Sequence, residues 1–406
     1  MTSSALQSGY ITTVVGTGNP DYTGEGGPAT EAALNEPKAV AVDRAGHLYV
    51  VDSENHLIRK VDAGTGQIRT IAGRPRVGVG QGSGTEAPSG SVPLPSADDP
   101  FGEPAEHKPD RYVQVSDLSG TVRFVTGKKA KGPSQYHGDG GPATEALLNF
   151  PSAIAVATDG TLYIADTMNH RVRRVDGRTG EITTLAGTGH PRCSGDGGPA
   201  RKAALNEPNA VALDESRQCL YVADQNNNRV RRLDLATGFI STIAGTGEAG
   251  YNGDGLPATE ASVAGPSGLA VGSDGTLYIA DTFNGRIRAV DPENGSIRTV
   301  TGDGSQYQFQ GLPNEWSTSV SRPHAIALDP EGGLYLTDSD SHLIRRWDAR
   351  KKIITRIVGT GRAQYGGDGA AAIEASLNYP FGVALDAQGN LYIADTFNHR
   401  IRKVSA

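Results

Sequence analysis

The chain has 406 residues, 54 of them glycine, and its 38 Lys and Arg against 45 Asp and Glu give a formal net charge of −7. Glycine at this level breaks long helices, which excludes a coiled coil or a helical bundle, and no apolar stretch is long enough to cross a membrane as a helix. The acidic balance argues against a nucleic-acid partner, because such partners need a basic face.

The compartment can also be anticipated from the sequence. Cys193 and Cys219 are too few for a disulfide framework. The first residues lack the basic segment followed by an apolar segment that marks a secretory signal. We therefore expect a cytoplasmic protein with two free thiols and no membrane association.

One motif recurs along the chain. It reads Leu-Tyr-x-x-Asp, followed by a polar corner and an Arg-containing segment, and its copies begin at Leu48, Leu162, Leu220, Leu277, Leu334 and Leu391. A proline precedes each copy by 11 or 12 residues; these prolines are Pro37, Pro151, Pro208, Pro266, Pro323 and Pro380. The gaps between them are 114, 57, 58, 57 and 57 residues, so one more repeat is hidden in the first gap.

Four short strands are predicted in each repeat, as the first copy illustrates: Ala39–Asp43, Leu48–Asp52, Leu57–Asp62 and Gln67–Gly73. Each is enriched in β-branched residues, and Gly or Asp-Gly turns separate them. Four antiparallel strands repeated at a fixed period are typical of a β-propeller blade. The fold class is therefore all-β, with one propeller over residues 1–406.

The number of blades follows from the fourth strand, which occurs seven times: Ile11–Gly16, Ile68–Gly73, Val122–Gly127, Ile182–Gly187, Ile240–Gly245, Ile297–Gly302 and Ile354–Gly359. The last repeat ends after its third strand, so the N-terminal copy should join the last blade and close the ring. We predict seven blades, the second degenerate, with residues 74–127 forming an irregular insertion or eroded blade. A six-bladed ring with the odd unit set aside is the alternative.

The corners of the repeats resemble the NHL family of β-propellers, named for an Asn-His-Leu trio. Asn55-His56-Leu57 is a literal instance, and Asn169-His170-Arg171 and Asn398-His399-Arg400 are close variants. The resemblance covers nearly the whole chain outside residues 74–110. It implies the fold, whereas the functions known in the family range over lyases, RNA binders, protein-interaction modules and sensor domains.

Topology predicts which face of the ring carries function. The long loops between blades and the corners after the second strand share one face, and long loops on a rigid scaffold usually bind ligands. Residues repeated in every blade are expected to be structural there, including a corner aspartate paired with an arginine on the third strand. The same holds for the corner histidines and for the Gly-Asp-Gly acids of the long loops.

Candidate ligand-binding residues are those that differ between blades at one position. The residue after each repeat proline opens the innermost strand at the channel mouth, and the set reads Lys38, Ser152, Asn209, Ser267, His324 and Phe381. A ring of different polar groups suits a specific small-molecule site. His324 is the candidate catalytic acid or base, because it is the titratable base of the ring nearest neutrality. Phe309 and Trp316, in an irregular loop of the same blade, are added as substrate-binding candidates.

Two function classes compete. The first is a small-molecule-binding propeller, an enzyme of lyase, hydrolase or isomerase type with His324 as acid–base group; the second is a non-catalytic propeller that docks a protein partner. Lyases of the family hold a metal with channel histidines, but no second inner-strand histidine accompanies His324 here. No cofactor is evident, no metal ligands are assigned, and residues 74–110 are either a lid or a disordered excursion.

Overall fold

A computed structural model describes residues 9–75, 136–305 and 318–406. The chain divides into two compact units, and all the described residues belong to the larger one, Met1–Pro75 with Ser134–Ala406. Its regular structure consists of antiparallel sheets of four or five strands, joined by three-residue 3₁₀ helices. No helix among the described residues has the length and apolarity needed to span a membrane.

The strands are numbered in chain order. The first strand, β1, is Ile11–Val15. Blade 1 contains β2 (Pro37–Val42), β3 (Leu48–Asp52), β4 (Leu57–Val61) and β5 (Ile68–Ala72). Blade 2 contains β6 (Gly141–Pro142), β7 (Ala153–Val156), β8 (Leu162–Asp166), β9 (Arg171–Val175) and β10 (Glu181–Ala186). Blade 3 contains β11 (Gly198–Pro199), β12 (Pro208–Asp214), β13 (Cys219–Asp224), β14 (Arg229–Asp234) and β15 (Phe239–Ala244).

The second half of the ring repeats the pattern. Blade 4 contains β16 (Pro266–Val271), β17 (Leu277–Asp281), β18 (Arg286–Val290) and β19 (Ile297–Thr301). Blade 5 contains β20 (Ile326–Leu328), β21 (Leu334–Asp338), β22 (Leu343–Asp348) and β23 (Ile353–Val358). Blade 6 contains β24 (Pro380–Leu385), β25 (Leu391–Asp395) and β26 (Arg400–Val404), with β1 as its outermost strand.

Short 3₁₀ helices occupy the face that carries the long loops. One set lies in the loops between blades: Ala29–Glu31, Ala143–Glu145, Ala200–Lys202, Ala258–Glu260 and Ala372–Glu374. The other set lies at the corner after the second strand: Thr167–Asn169, Gln225–Asn227, Thr282–Asn284, Ser339–Ser341 and Thr396–Asn398. The Asn35 N–H donates to Asp52 at 2.7 Å, which joins a long loop to a corner and confirms that both share one face.

The N-terminal strand closes the ring, as the sequence predicted. It pairs antiparallel with β26, with Ile11 opposite Val404 and Thr13 opposite Arg402. Ile11 and Val15 are fully buried. This pairing removes the open edge that β26 would otherwise present to other chains.

The number of blades corrects the seven-blade prediction: the described residues form six, which is the alternative interpretation. The innermost strands contact one another in a closed cycle, β2 with β7, β7 with β12, and onward through β16, β20 and β24 back to β2. Val51 and Ile58 of blade 1 share a buried apolar cluster with Ile154 and Ile164 of blade 2. Because these two sheets pack directly together, no blade stands between them. The hidden repeat ending at Val122–Gly127 lies outside the described residues.

Candidate functional site

A buried arginine on the third strand of every blade ties the corner to the long loop. Its partner at the corner is a fully buried aspartate, with N–O distances between 3.2 and 3.8 Å, in the pairs Arg59–Asp52, Arg173–Asp166, Arg231–Asp224, Arg288–Asp281, Arg345–Asp338 and Arg402–Asp395. The Gly-Asp-Gly acids supply a second carboxylate in Arg173–Asp139, Arg231–Asp196, Arg288–Asp254 and Arg402–Asp368. Glu25 lies 3.6 Å from Arg59. These repeated charges therefore hold the fold, as expected from their repetition.

The corner histidines link adjacent blades. The Glu207 N–H donates to His170 Nδ1 at 3.1 Å, and the equivalent bonds reach His56, His342 and His399 at 3.0 to 3.2 Å. Blade 3 has Asn228 at this position, and its Oδ1 accepts from the Gly265 N–H at 3.0 Å. Five of the six corners thus supply a side-chain acceptor at this position, whereas blade 4 has Gly285. We call this bond the histidine latch.

Hydroxyl groups at the corners also connect blades, close to the channel. We call the contact between two adjacent blades a seam. In four seams a Ser or Thr hydroxyl donates to the carbonyl oxygen of the next repeat proline, at 2.6 to 2.9 Å. The four bonds are Thr167–Pro208, Thr282–Pro323, Ser339–Pro380 and Thr396–Pro37. The last three of these bonds are consecutive around the ring. They fix the inner-strand starts of blades 4, 5, 6 and 1 beside one another.

In four blades the residue after the repeat proline leaves the strand ladder. The register between the first and second strands shifts between Pro37 and Ala39, and the same shift occurs in blades 3, 4 and 6. A β-bulge of this kind leaves one residue unpaired and redirects its side chain. Lys38, Asn209, Ser267 and Phe381 are the unpaired residues at the start of four inner strands, whereas Ser152 and His324 precede the strands β7 and β20.

Three of the six variable residues are engaged by the protein itself. Ser152 and Ser267 are buried; Ser152 Oγ lies 2.7 Å from the Asn209 carbonyl oxygen, and Ser267 Oγ lies 3.3 Å from the His324 carbonyl oxygen. The Asn209 amide donates to Gln225 Oε1 at 3.0 Å. These side chains stabilise the seams around the channel, which leaves them less available to a ligand than the sequence suggested.

The other three variable residues form a different group. The rings of His324 and Phe381 lie in contact, with centroids 4.5 Å apart. Within the described part of the chain, Lys38 makes no side-chain hydrogen bond or ion pair, and neither ring nitrogen of His324 is hydrogen-bonded. Both polar groups therefore keep their hydrogen-bonding capacity, and they belong to blades 1 and 5, whose inner strands contact that of blade 6.

The electrostatics around His324 differ from the expectation of a base near neutrality. Burial, together with the positive charges of Arg322 and Lys38, lowers the pKa of His324 to about 3. The imidazole is therefore neutral at physiological pH. It serves as a hydrogen-bonding group there, and an anion bound beside the two cations would raise its pKa.

Two aromatic residues extend this group, and the sequence interpretation missed them. Phe397 lies 6.0 Å from Phe381 and 5.3 Å from Tyr379 between ring centroids, with the rings steeply inclined. We call Lys38, His324, Phe381, Tyr379 and Phe397 the mouth cluster. Tyr379 precedes a repeat proline and Phe397 is the second residue of a corner, positions that also vary from blade to blade. The same search for variation, applied there, would have found them.

An ion pair borders the mouth cluster. Arg322 Nη1 lies 3.5 Å from Asp340 Oδ1, and the guanidinium sits 5.7 Å from the ring centroid of Phe283. Burial raises the pKa of Asp340 to about 6 although Arg322 opposes the shift. Phe283 is 49% exposed, so it forms an apolar rim at this side of the mouth.

The backbone around His324 is held by a side chain that other blades lack. The Thr337 hydroxyl accepts from the N–H groups of both His324 and Ala325 at 3.0 Å. Blades 2, 3, 4 and 6 have alanine at this position: Ala165, Ala223, Ala280 and Ala394. Thr337 was not singled out from the sequence, although its departure from the repeat was readable.

The remaining site predictions lie elsewhere. Phe309 and Trp316 fall outside the described residues. Among the residues that are described, no group of three or more His, Cys, Asp or Glu side chains is arranged to hold a metal ion. Cys193 and Cys219 are both unpaired, the first exposed and the second buried.

Comparison with protein families identifies the repeats. The Teneurin NHL domain matches residues 11–87, 108–176 and 246–321, together more than half of the chain, and the NHL repeat matches residues 377–404. The closed ring of four-stranded blades and the latched corners belong to a β-propeller. The chain is a member of the NHL-repeat β-propeller family.

Two relatives show how far the similarity extends. The chain is 32% identical over 275 residues to the chloroplastic protein SUPPRESSOR OF QUENCHING 1 of Arabidopsis thaliana, covering 65% of this chain and 26% of that protein. It is 29% identical over 316 residues to NHL repeat-containing protein 2 of Gallus gallus, covering 71% of this chain and 43% of that protein. The chain thus spans less than half the length of either relative.

Solved structures share the fold at low identity. A protein of unknown function from Bacteroides thetaiotaomicron superposes with a TM-score of 0.61 at 16% identity, covering 98% of this chain and 75% of that one. A gluconolactonase from Xanthomonas campestris superposes with a TM-score of 0.53 at 13% identity, covering 100% and 93%. At these identities the likeness establishes the architecture alone.

Proposed function

We propose that the chain binds a small organic molecule at the mouth cluster. The observation that carries the proposal is the division among the six variable residues. Three polar members are hydrogen-bonded within the protein, whereas Lys38 and His324 flank Phe381 with no such partner in the described residues. Polar groups with open hydrogen-bonding capacity beside an aromatic wall are the usual composition of a small-molecule site.

The proposal extends to chemistry in one respect. Burial, with the charges of Arg322 and Lys38, lowers the pKa of His324, and a negative charge bound beside Lys38 would raise it. His324 would then act as a general base on the bound molecule, as lyase, hydrolase or isomerase chemistry requires. Binding would come first, and the bound molecule would activate the histidine.

The experiment is a screen of metabolites by thermal shift, run on the wild-type chain and on matched variants. Lys38→Met and His324→Asn alter the mouth cluster; Lys60→Met, on β4, and His170→Asn, in a latch, are the controls. We expect at least one compound to raise the melting temperature of the wild type and of both controls, with the shift lost in the two mouth variants. Without ligand, His324→Asn should melt close to the wild type.

Two results would count against the proposal. If every stabilising compound acts equally on the mouth variants and the controls, the ligand site lies elsewhere. If His324→Asn lowers the melting temperature strongly while binding persists, His324 is structural. A protein captured through the Phe283 rim, with no small ligand found, would favour the alternative of a protein-docking propeller.

A further inference from the structure

We infer that the ligand of the mouth cluster is a flat, apolar-ringed monocarboxylate, with its carboxylate held by Lys38 and its ring packed against Phe381 and Phe397. This inference rests on the proposed function and names its ligand class. Three independent features of the mouth lead to it: the net charge, the pair of donors and the shape of the wall.

Two cations, Arg322 and Lys38, lie near His324, and they differ in whether an acid pairs with them. Arg322 is already neutralised by Asp340 at 3.5 Å. Lys38 has no ion pair within the described residues, although its charge acts on Glu36: partial burial raises the pKa of that carboxyl and Lys38 lowers it. A ligand with a negative charge would be attracted to the Lys38 ammonium, whereas a cation would be repelled by it.

The hydrogen-bonding groups match a carboxylate. The Lys38 ammonium carries only donors, and a neutral imidazole supplies one N–H donor. These two groups flank the same aromatic ring, and the consecutive hydroxyl bonds across three seams hold their strands in place. Two donors of this kind satisfy the two oxygens of one carboxylate through charge-assisted bonds.

The shape of the wall favours a flat ring. Phe381 and Phe397 are inclined by 67° and Tyr379 and Phe397 by 69°, so the cluster presents both faces and edges of aromatic rings. A planar ring can join such a cluster in edge-to-face geometry. An aliphatic acid without a ring would gain the charge contact but leave this wall uncovered.

The test uses four probes on the full chain: benzoate, benzamide, benzamidine and acetate. The first three share one ring and differ in charge, and acetate keeps the charge without the ring. Affinity is measured by calorimetry, and the histidine ring resonances of a ¹³C-labelled sample give the pKa of His324. The charged groups facing His324 are Arg322 and Lys38; Ser267 and Phe381, from the neighbouring blades, carry none.

We expect benzoate to bind about tenfold or more tightly than each of the other three probes, the size of one charge-assisted hydrogen bond. Lys38→Met should remove this preference, while Lys60→Met should retain it. Benzoate should also raise the pKa of His324, because it offsets Lys38. Phe381→Leu should weaken benzoate more than acetate.

The contrary outcomes separate the two proposals. If benzamide or benzamidine binds as tightly as benzoate in a manner sensitive to Phe381, the mouth is a ligand site but the ligand class is wrong. If benzoate fails to bind at millimolar concentration, the inference is refuted whatever the metabolite screen gives. If benzoate binds equally to Lys38→Met, the carboxylate is held elsewhere and the assignment of Lys38 fails.

Discussion

The histidine latch makes the stability of the ring depend on pH in a way that a single substitution can isolate. His170 and His342 each accept a backbone N–H from the next blade through Nδ1, which they can do only when that nitrogen carries no proton. Asn228 fills the same position in blade 3 with an oxygen that does not titrate. Replacing both histidines by asparagine should keep the bond and remove the titration.

The magnitude follows from the pKa values. Burial, with a contribution from Arg171, lowers the pKa of His170 to about 4, and burial lowers that of His342 to about 4. The unfolded chain binds the proton near pH 6.5, so the stability due to the neutral histidines is complete above pH 6.5. It is lost as the pH falls from 6.5 toward 4. From pH 7 to pH 5 the full shift corresponds to about 2 kcal/mol per histidine, and to about 1 kcal/mol after allowing for partial exposure to solvent.

The assay is urea unfolding of the wild type and of the double variant His170→Asn/His342→Asn at pH 7 and pH 5. We expect similar free energies of unfolding at pH 7, and at pH 5 a variant more stable than the wild type by about 2 kcal/mol. Titration of the buried aspartates is common to both proteins and cancels in the difference. Equal losses in both proteins between the two pH values would refute the reasoning, as would a large loss in the variant at pH 7.

Three further predictions test the scaffold and the support of the site. Ile11→Ala should lower the free energy of unfolding in urea by about 2–5 kcal/mol, because Ile11 is fully buried in the closing strand. Its neighbour Thr12 is exposed, so Thr12→Ala should change that free energy by about 0.5 kcal/mol or less. Arg173→Met should lower the free energy of unfolding by about 3–5 kcal/mol, because it leaves Asp166 buried without its cation. Arg174→Met removes a partly exposed ion pair and should cost about 1 kcal/mol at most. Equal costs would contradict the structural role of the buried arginines. Thr337→Val should lower the free energy of unfolding by about 1–3 kcal/mol, because it removes the acceptor of two backbone N–H groups. It should also weaken ligand binding at His324. Unchanged binding would show that Thr337 does not position the segment around His324.

The sequence was sufficient to predict most of the fold because the strands of each repeat can be recognised from the residues of that repeat alone. The four strands of blade 1 lie within two residues of their predicted bounds, and the N-terminal strand completes blade 6. The number of blades went wrong because a sequence motif records ancestry, not packing. Whether Val51 meets Ile154 or another blade depends on which apolar faces come together across the gap in the chain, and no single repeat contains that information.

The site was only partly predictable for a related reason. Variation among blades located the ring of Lys38 and His324, but it could not show which polar members the scaffold uses for itself. Ser267 and Lys38 occupy equivalent positions, yet the Ser267 hydroxyl is hydrogen-bonded to the next blade, whereas the Lys38 ammonium has no hydrogen bond within the described residues. The pKa of His324 was equally hidden, since burial lowers it most and part of the remaining shift comes from Lys38 on β2, more than 280 residues away in the chain.

The bulge after the repeat proline has a consequence for how such a ring acquires new specificity. In four blades the residue after the proline is not paired with the second strand. The contact with the adjacent blade is made by the proline carbonyl and its neighbours. Replacing that residue therefore changes what the channel recognises without altering the pairing that holds the blade. Lys38 and Phe381 are two such positions, each open to substitution by itself, whereas Asn209 and Ser267 are already hydrogen-bonded within the protein. A library randomised at Lys38 and Phe381 should yield many folded proteins that differ in their ligands, and gene duplication followed by drift would explore the same set.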